Sequence, residues 1–485
     1  MKLYFITPLF FLFHFSVKAQ DCDCHNDFEF VVNYYEENLP GFKDNVSDSN
    51  IDDYNQFKNN LSTLSKNYCS DEDLCYKTLL VYVEFFKDNH SSLYTNNSVY
   101  IDEDNAKEVE QFLLSRRFKN REIIKNYNSF SKNAIQNIEN CYQTKDKTYS
   151  VVVVENKNEF RDYVGIIIDS KTPLWKEGQV KFELKKIKEN TYDMFLYMRN
   201  HAVRYYKNVK LENGVLNDDW YNTQLTDSKS YNIEMPYTDL TFTELDDETN
   251  YMYIPTFDGN YYAKIAEFYA QYDTLIQAKP YLIIDVRNNG GGSDACVSPL
   301  LKYIYTKPFK DDIVDVYATK ENIRKYSKWY EVMKNDTANF SDEFLKSFKA
   351  EIETLKTVPN KTFIPRNSGE TIELDTVLDN PKKVVIITNK YCASSCETLL
   401  FWAMESEKTI IVGENSGGFV GYGDISAVET PNFKYELGCT MTRYVHQRKY
   451  ETDGIPPDYY LSDDRDWIEQ ARVLLKDHQN KTEHE

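Results

Sequence analysis

Two short segments contain residue types that together could carry out acyl transfer. The first is DVRNNGGGSD (285–294), which follows an apolar stretch and includes three successive glycines. Glycine adopts positive φ at no steric cost, so such a turn can point its backbone N–H groups at an anion. A tight strand-to-helix connection explains the same glycines by sterics alone. The sequence favours neither explanation.

The second segment is NKYCASSCETLLFWAM (389–404), which also follows an apolar stretch. Ser394 and Glu397 have the S-x-x-E spacing of a capping box, so Ser394 on its own is most simply explained as a helix N-cap. Its predicted position is the carboxyl end of a strand and the start of a helix, where α/β folds place ligands next to free amides. A hydroxyl there can act as a nucleophile whose oxyanion is held by the glycine turn.

A serine hydroxyl needs a base before it can attack a carbonyl carbon. Of the seven histidines, His14 lies in the N-terminal apolar run, and His478 and His484 lie near the C-terminus. The remaining candidates are His25, His90, His201 and His446. Spacing does not distinguish among these four, and for each one the simpler interpretation is a surface or core imidazole.

The elements that must position these residues form an α/β pattern. Apolar strands are predicted at YMYIPTF (251–257), YLIIDV (281–286), VVIIT (384–388) and TIIVG (409–413), with helical periodicity between them. Continuous apolar strands that alternate with helices predict a buried, mostly parallel sheet. Residues 306–375 interrupt the alternation with a charged, largely helical stretch, which we interpret as an insertion over the core that could act as a lid.

Two further regions are predicted before this core. Residues 21–145 show apolar spacing of three and four residues, which predicts an N-terminal helical domain. Residues 146–245 contain β-branched runs and predict a small β-rich domain. The α/β region then covers residues 246–475 and ends in an amphipathic helix, whereas residues 476–485 are expected to form a flexible tail.

The N-terminus predicts export of the chain. Residues 1–20 combine Lys2, an apolar run from Leu3 to Val17 and a small residue, Ala19, as in a cleavable signal peptide. The run is shorter than the roughly 20 residues that a membrane span needs, so no stable membrane insertion is expected after signal removal. We therefore expect a secreted protein, either periplasmic or extracellular.

Charge and cysteine content narrow the classes of function. A net charge of −20, from 57 basic and 77 acidic residues, makes nucleic acid a poor partner.

All nine cysteines follow the signal segment, which fits an oxidising compartment. Cys22 and Cys24 could pair with Cys69 and Cys75 in a connectivity that the sequence leaves open, and the odd count leaves at least one thiol free or paired between chains. The C-x-C spacing is a weak metal signal, and no metal ion or cofactor is expected.

Five segments, in this order, resemble the tail-specific, C-terminal-processing serine peptidases. They are YMYIPTF, LIIDVRNNGGG, VVIITNKYCASSCE, IIVGENSGG (410–418) and ETDGIPPDYYL (451–461). The resemblance implies an α/β catalytic core of the crotonase/ClpP-like ββα type that hydrolyses a peptide or protein substrate. It places the nucleophile on Ser394 and the oxyanion donors on the amides of Gly291 or Gly292 and of Ser395.

The resemblance also selects a base. Family members with a Ser-Lys pair carry a basic residue after G-E-x-x-G, whereas NSGGFVGYGD (415–424) contains no lysine. The segment FFKDNHSSL (85–93) is similar to the D-G-H-T element of the tricorn-core-like branch, which implies that His90 is the base. That branch orients its histidine with an acidic residue before the final G-I-x-P-D, which implies Glu451, with Asp453 as the alternative.

The resemblance thus implies a secreted serine endopeptidase with a Ser-His acyl-enzyme mechanism. The alternative is a non-proteolytic binding protein on the same fold, because the resemblance extends to retinoid-binding relatives; its ligand would be apolar or a peptide. A degenerate peptidase with an interaction role is a third possibility. Residues 150–245 lack the glycine-rich carboxylate-binding loop of a PDZ module, and the oligomeric state does not follow from the sequence.

Overall fold

The computed structural model describes residues 22–95, 100–125, 134–225, 239–336, 340–462 and 465–477. The predicted signal peptide (1–20) and most of the predicted tail (476–485) lie outside these residues, as do His14, His478 and His484. None of the described helices is long and apolar enough to cross a lipid bilayer.

The N-terminal region is helical. Its described elements are α1 (Asp23–Asn38), α2 (Pro40–Asn45), α3 (Ile51–Asn67), α4 (Glu72–Glu84), β1 (Leu93–Tyr94), α5 (Ala106–Leu114) and α6 (Arg116–Lys119). Asp71 begins α4 by accepting the N–H of Leu74 at 3.0 Å, as an N-cap does. Two disulfides, Cys22–Cys69 and Cys24–Cys75, tie the start of α1 to the segment between α3 and α4 and to α4 itself, which selects one of the possible connectivities.

Antiparallel strands then close into a barrel. They are β2 (Cys141–Thr144), β3 (Tyr149–Glu155), β4 (Tyr163–Ser170), β5 (Val180–Lys188), β6 (Thr191–Tyr197), β7 (Val203–Glu212), β8 (Val215–Leu216) and β9 (Trp220–Asn222). Because β2 pairs with both β3 and β9, this barrel has no free edge. It starts slightly before the predicted β-rich domain (146–245), and residues 226–238 of that prediction lie outside the described chain.

The barrel and the N-terminal helices share one hydrophobic core. That core includes side chains from α1, α4 and the barrel, together with Leu437 from the far end of the chain. The hydroxyl of Tyr35 on α1 donates to the carbonyl of Gly438 at 2.6 Å. Lys77 on α4 and Glu183 on β5 form a buried ion pair at 2.6 Å. Regions that are consecutive in sequence are therefore packed together as one unit.

A six-stranded sheet forms the C-terminal half. Its strands are β10 (Thr241–Glu244), β11 (Thr249–Tyr253), β12 (Tyr281–Asp285), β17 (Lys383–Thr388), β18 (Thr409–Gly413) and β23 (Tyr459–Tyr460), in that spatial order. All neighbours are parallel except β10 and β11. The two faces are covered by α7 (Tyr262–Ala278), α8 (Asp294–Val297), α9 (Leu301–Ile304), α12 (Ser395–Met404) and α13 (Trp467–Asp477). The predicted mixed α/β class is observed.

Residues 306–375 contain strands as well as helices, which differs from the largely helical insertion predicted for them. They form β13 (Phe309–Lys310), β14 (Val314–Ala318), α10 (Lys320–Met333), α11 (Asp342–Thr357), β15 (Thr362–Pro365) and β16 (Thr371–Ile372). β14 pairs with β22 (Thr442–Tyr444), which pairs with β19 (Tyr422–Gly423). A hairpin of β20 (Ser426–Glu429) and β21 (Glu436–Cys439) pairs with β1. The insertion is thus joined to strands close to the C-terminus.

Gly165 in β4 leaves space for the ring of Phe182 inside the barrel. A Cβ atom at Gly165 would lie 2.4 Å from Phe182 Cζ, far inside van der Waals contact. We expect Gly165→Ala to lower the free energy of unfolding by about 1–3 kcal/mol, as overpacking does. Urea denaturation followed by tryptophan fluorescence measures this. Gly41→Ala is the control, since its added Cβ would meet no atom closer than 3.6 Å, and an equal effect in both variants would contradict the expectation.

Candidate active site

The glycine turn and Ser394 meet at the carboxyl edge of the parallel sheet. They follow β12 and β17, which are neighbouring parallel strands. The N–H of Ala393 donates to the carbonyl of Asn289 at 3.0 Å, which joins the two turns. Gly291 has a φ of +85°, and a Cβ atom there would lie 2.4 Å from the Ala393 carbonyl oxygen. This contact therefore requires glycine.

Ser394 occupies the N-cap position of α12 with φ 56° and ψ −124°. Non-glycine residues rarely adopt such a backbone, and it typically persists where function requires it. A positive φ between a strand and a helix is also found in nucleophile elbows, which present the serine hydroxyl at the edge of a sheet. Ser394 is partly exposed, and its own N–H is capped by the carboxylate of Glu397 at 2.8 Å.

Two of the three amides predicted to hold the oxyanion have no acceptor within the described parts of the chain. They belong to Gly292 and Ser395. The N–H of Gly291 instead donates to the side-chain oxygen of Asn289 at 3.0 Å, so this amide is occupied. Ser395 begins α12, where N–H groups lack helical partners. Of the two glycines that the sequence left open, Gly292 is the one whose N–H has no acceptor among the described residues.

His90 lies with its ring edge-on to Phe419, at 5.3 Å between ring centroids. Its Nδ1 is buried without a hydrogen-bond partner among the described residues, and no hydrogen bond there joins the ring to Ser394. Burial lowers the pKa of His90, whereas the charge of Asp88 and a backbone hydrogen bond with Tyr422 act to raise it. The imidazole is therefore neutral near pH 7, as a general base must be.

A loop of residues 414–421, here called the bridging loop, lies between the serine and histidine segments. The N–H of Gly418 donates to the carboxylate of Glu397 at 2.8 Å. The carbonyl of the same residue accepts Nδ2 of Asn89 at 2.8 Å. Glu397 is on the helix that starts at the serine, and Asn89 directly precedes the histidine. One residue of the bridging loop thus contacts both segments.

Glu451 supports the backbone next to His90, and among the described residues no hydrogen bond joins its carboxyl group to the ring. Its Oε1 accepts the N–H of Asn89 at 2.6 Å, and its Oε2 accepts two successive amides of the bridging loop at 2.8 and 2.5 Å. Burial, followed by the charge of Asp88, raises the pKa of Glu451 to about 8. The resemblance implied that this carboxyl orients the imidazole, which stays a prediction; the hydrogen bond that the structure shows in this segment is to the residue before the histidine.

Asp88 is a buried carboxylate whose role the sequence analysis missed. It accepts the N–H groups of His90 and Ser91 at 3.0 and 3.1 Å, and the hydroxyls of Ser91 and Thr440 at 2.7 Å each. These bonds fix the backbone of the histidine segment. The available signal was an Asp two residues before a His, which is the spacing of an Asx turn. Asp453, the alternative acid, is exposed.

The other described histidines make their contacts in other parts of the fold. His25 is hydrogen-bonded within the N-terminal helices. His201 is buried beside the barrel, where burial lowers its pKa to about 2. His446 is largely exposed and lies 2.7 Å from a carboxylate oxygen of Asp312. Of the four candidates that the sequence left open, His90 packs edge-on against Phe419 of the bridging loop, next to the Gly418 amide that bonds to Glu397.

Residues 248–461 match the model of peptidase family S41. This part of the chain belongs to the tail-specific serine peptidases of that family. The protein is therefore a serine-type peptidase, and its substrates are peptides or proteins.

Comparison with solved structures gives only distant likenesses, and none of the curated proteins compared with the sequence matches it. Mature CPAF complexed with lactacystin is 13% identical with a TM-score of 0.48, covering 95% of this chain and 98% of that one. The photosystem II D1 C-terminal processing protease is 11% identical with a TM-score of 0.37, covering 94% and 98%. The tricorn protease is 11% identical with a TM-score of 0.33, covering 94% and 37%. At these values no residue role can be transferred.

The neutral form of His90 should control the acidic limb of the pH profile. Because burial lowers its pKa, kcat/KM should rise with pH around a midpoint below about 6.5. Phe419→Ala admits water to the ring and weakens this desolvation, so the limb should move to higher pH. Initial rates with a peptide substrate measure the limb, and Phe433→Ala, which removes a ring packed on Tyr435, is the control. An unmoved limb in Phe419→Ala would contradict the assignment.

Gly291→Ala should lower kcat by about 10² or more, the loss typical of a missing oxyanion donor. The added methyl group would overlap the Ala393 carbonyl and displace the Ser395 amide, 2.8 Å from the new atom. Gly259→Ala is a nearby control, since its added Cβ would be 3.6 Å from Ser293 Cβ. Steady-state kinetics of both folded variants measure kcat. A Gly291→Ala enzyme with unchanged kcat would rule out a role of the glycine turn in binding the oxyanion.

Proposed function

We propose that this protein is a secreted serine endopeptidase in which Ser394 attacks the substrate carbonyl and His90 acts as general base. One observation carries the proposal: Ser394, in a positive-φ turn at the sheet edge, packs against the glycine turn at Gly291, and the amides of Gly292 and Ser395 have no acceptor among the described residues. A hydroxyl beside two free N–H donors at a helix N-terminus is suited to stabilise a tetrahedral oxyanion.

The reaction follows from these positions. His90 takes the proton of Ser394 as Oγ bonds to the carbonyl carbon of the substrate. The N–H groups of Gly292 and Ser395, together with the positive end of the α12 dipole, bind the negative charge on the carbonyl oxygen. His90 then protonates the leaving amine, which leaves an acyl ester on Ser394. His90 then takes a proton from water as the water oxygen bonds to the acyl carbon. When the acyl–Oγ bond breaks, His90 returns that proton to Ser394 Oγ and the carboxylic acid product leaves.

No hydrogen bond among the described residues joins the His90 ring to Ser394, so the ring and the hydroxyl have to approach each other before the first proton transfer. The Nδ1 of His90 has no hydrogen-bond partner within the described chain, and the approach would replace the hydrogen bond that the ring makes with the backbone of Tyr422. Hydrogen bonds between a nucleophile and its base are often long in unliganded enzymes and shorten in the substrate complex. We therefore assign the closing step to substrate binding.

Secretion is part of the same proposal. The N-terminal segment has the composition of a signal peptide, and the first helices contain two disulfides, Cys22–Cys69 and Cys24–Cys75. Disulfides persist in oxidising compartments. We place the mature protein in the periplasm or outside the cell. The net charge of −20 makes nucleic acid an unsuitable partner.

Replacing either reacting side chain should remove hydrolysis. We expect Ser394→Ala to abolish turnover and His90→Ala to lower kcat by about 10² to 10⁴, the usual contribution of a general base. His446→Ala is the matched control, because that side chain is 71% exposed and bound to Asp312, and it should retain wild-type turnover. Cleavage of a quenched fluorescent peptide measures all three, with circular dichroism to establish folding. Loss of activity in His446→Ala but not in His90→Ala would move the base.

A fluorophosphonate probe separates the peptidase from a non-proteolytic binding protein on the same fold. An activated hydroxyl should react with the probe, and mass spectrometry of tryptic peptides should locate the adduct on Ser394. A binding protein for an apolar ligand or a peptide has no activated hydroxyl and would remain unlabelled. Absence of labelling in the folded wild-type protein would reject the proposed mechanism.

A further inference from the structure

We propose that Glu397 is a positioning residue for this reaction. Its carboxylate holds Ser394 and the bridging loop together and, through that loop, fixes the imidazole of His90 relative to the serine hydroxyl. The inference rests on the proposed Ser-His mechanism. It assigns a function to three hydrogen bonds of Glu397 that a helix cap does not require.

The Glu397 side chain is fully buried and accepts four hydrogen bonds. Its Oε2 accepts the N–H of Ser394 at 2.8 Å and the N–H of Phe419 at 2.9 Å. Its Oε1 accepts the N–H of Gly418 at 2.8 Å and the hydroxyl of Ser416 at 2.5 Å. Of the four hydrogen bonds that the Glu397 carboxylate accepts, a capping box includes only the one from the N–H of Ser394. The other three partners all belong to the bridging loop.

The shared oxygen links the nucleophile to the base. Ser394 and Phe419 donate to the same atom, Oε2, so neither backbone can shift without disturbing the other. The Phe419 ring is the edge-on neighbour of His90. Gly418, which bonds to the other oxygen of Glu397, accepts Nδ2 of Asn89. A movement of the loop by about 1 Å would change the separation of base and nucleophile, and an error of that size costs about 10² in rate.

All four partners of Glu397 are donors, which matches the acceptor sites of an ionised carboxylate. Burial raises the pKa of Glu397, and the four hydrogen bonds act to lower it. Glutamine has nearly the same shape but only one acceptor oxygen. Its NH₂ group would also point its own hydrogens at donors. Glu397→Gln therefore removes the hydrogen bonds of one oxygen while nearly preserving the side-chain volume.

Glu397→Gln tests the proposal directly. We expect kcat to fall by about 10², as for a misplaced catalytic pair, while KM stays within about threefold of wild type. The rate of fluorophosphonate labelling should fall by a similar factor. Rates are expressed per titrated active site, because loss of stability alone lowers the number of active sites and not the turnover of each one. Ser416→Ala removes one of the four hydrogen bonds to Glu397 and also the acceptor of the Ile455 N–H. It should give a smaller loss of kcat, and it keeps the test available if Glu397→Gln does not fold.

Asp27→Asn is the matched control. Asp27 is also fully buried, and its carboxylate also holds a loop, through Thr430, Asn432 and Phe433. It should lower thermal stability and leave kcat per active site within about twofold of wild type. If kcat per active site of Glu397→Gln and of Ser416→Ala also stays within about threefold of wild type, the positioning role is excluded. The proposed function is not affected by that result. If the wild-type protein itself shows no labelling at Ser394, the proposed Ser-His mechanism and the positioning role of Glu397 are both rejected.

Discussion

Buried carboxylates that accept backbone N–H groups hold the segments of this site together. Glu397, Glu451 and Asp88 each accept at least two such groups, and within the described chain none of them bonds to the His90 ring. Where the carboxyl group is ionised, each such hydrogen bond contributes about 1.5–3 kcal/mol, and a buried carboxyl group in either state needs hydrogen-bond partners. The structure depends on this interaction because the site combines segments that share no helix or strand. Side-chain carboxyl groups hold these backbone segments in place, as hydrogen bonds between strands hold the sheet together in the core.

The parts of the site that are encoded locally could be predicted from the sequence. Ser394 and the glycine turn each follow an apolar strand, and neighbouring parallel strands bring such turns to one edge. His90 could not be selected by spacing, because its place depends on how the N-terminal helices dock; only a family resemblance singled it out. Glu397 was visible as a capping residue, but its bonds to the bridging loop join residues about twenty positions apart in a segment without periodicity.

The fold shows the same division between local and long-range information. The strands β11, β12, β17 and β18 lie where continuous apolar runs predict them, because both faces of the sheet are covered and no alternation is needed. The closure of the barrel was not predictable, since β2 and β9 are 4 and 3 residues long and pair across the whole region. The strands within residues 306–375 were missed for a similar reason, because β14 pairs with β22 and both are short.

The contacts of the N-terminal helices have a consequence for the timing of activity. Tyr35 bonds to Gly438, Asp27 holds the loop at 430–433, and Asn89 bonds to Glu451. A nascent chain therefore lacks these partners of its first helices until residues 430–451 have left the ribosome, and the histidine segment is not held by Glu451 before then. A chain truncated before residue 451 would lack the hydrogen bonds that position the proposed base, and we expect it to be inactive as a peptidase.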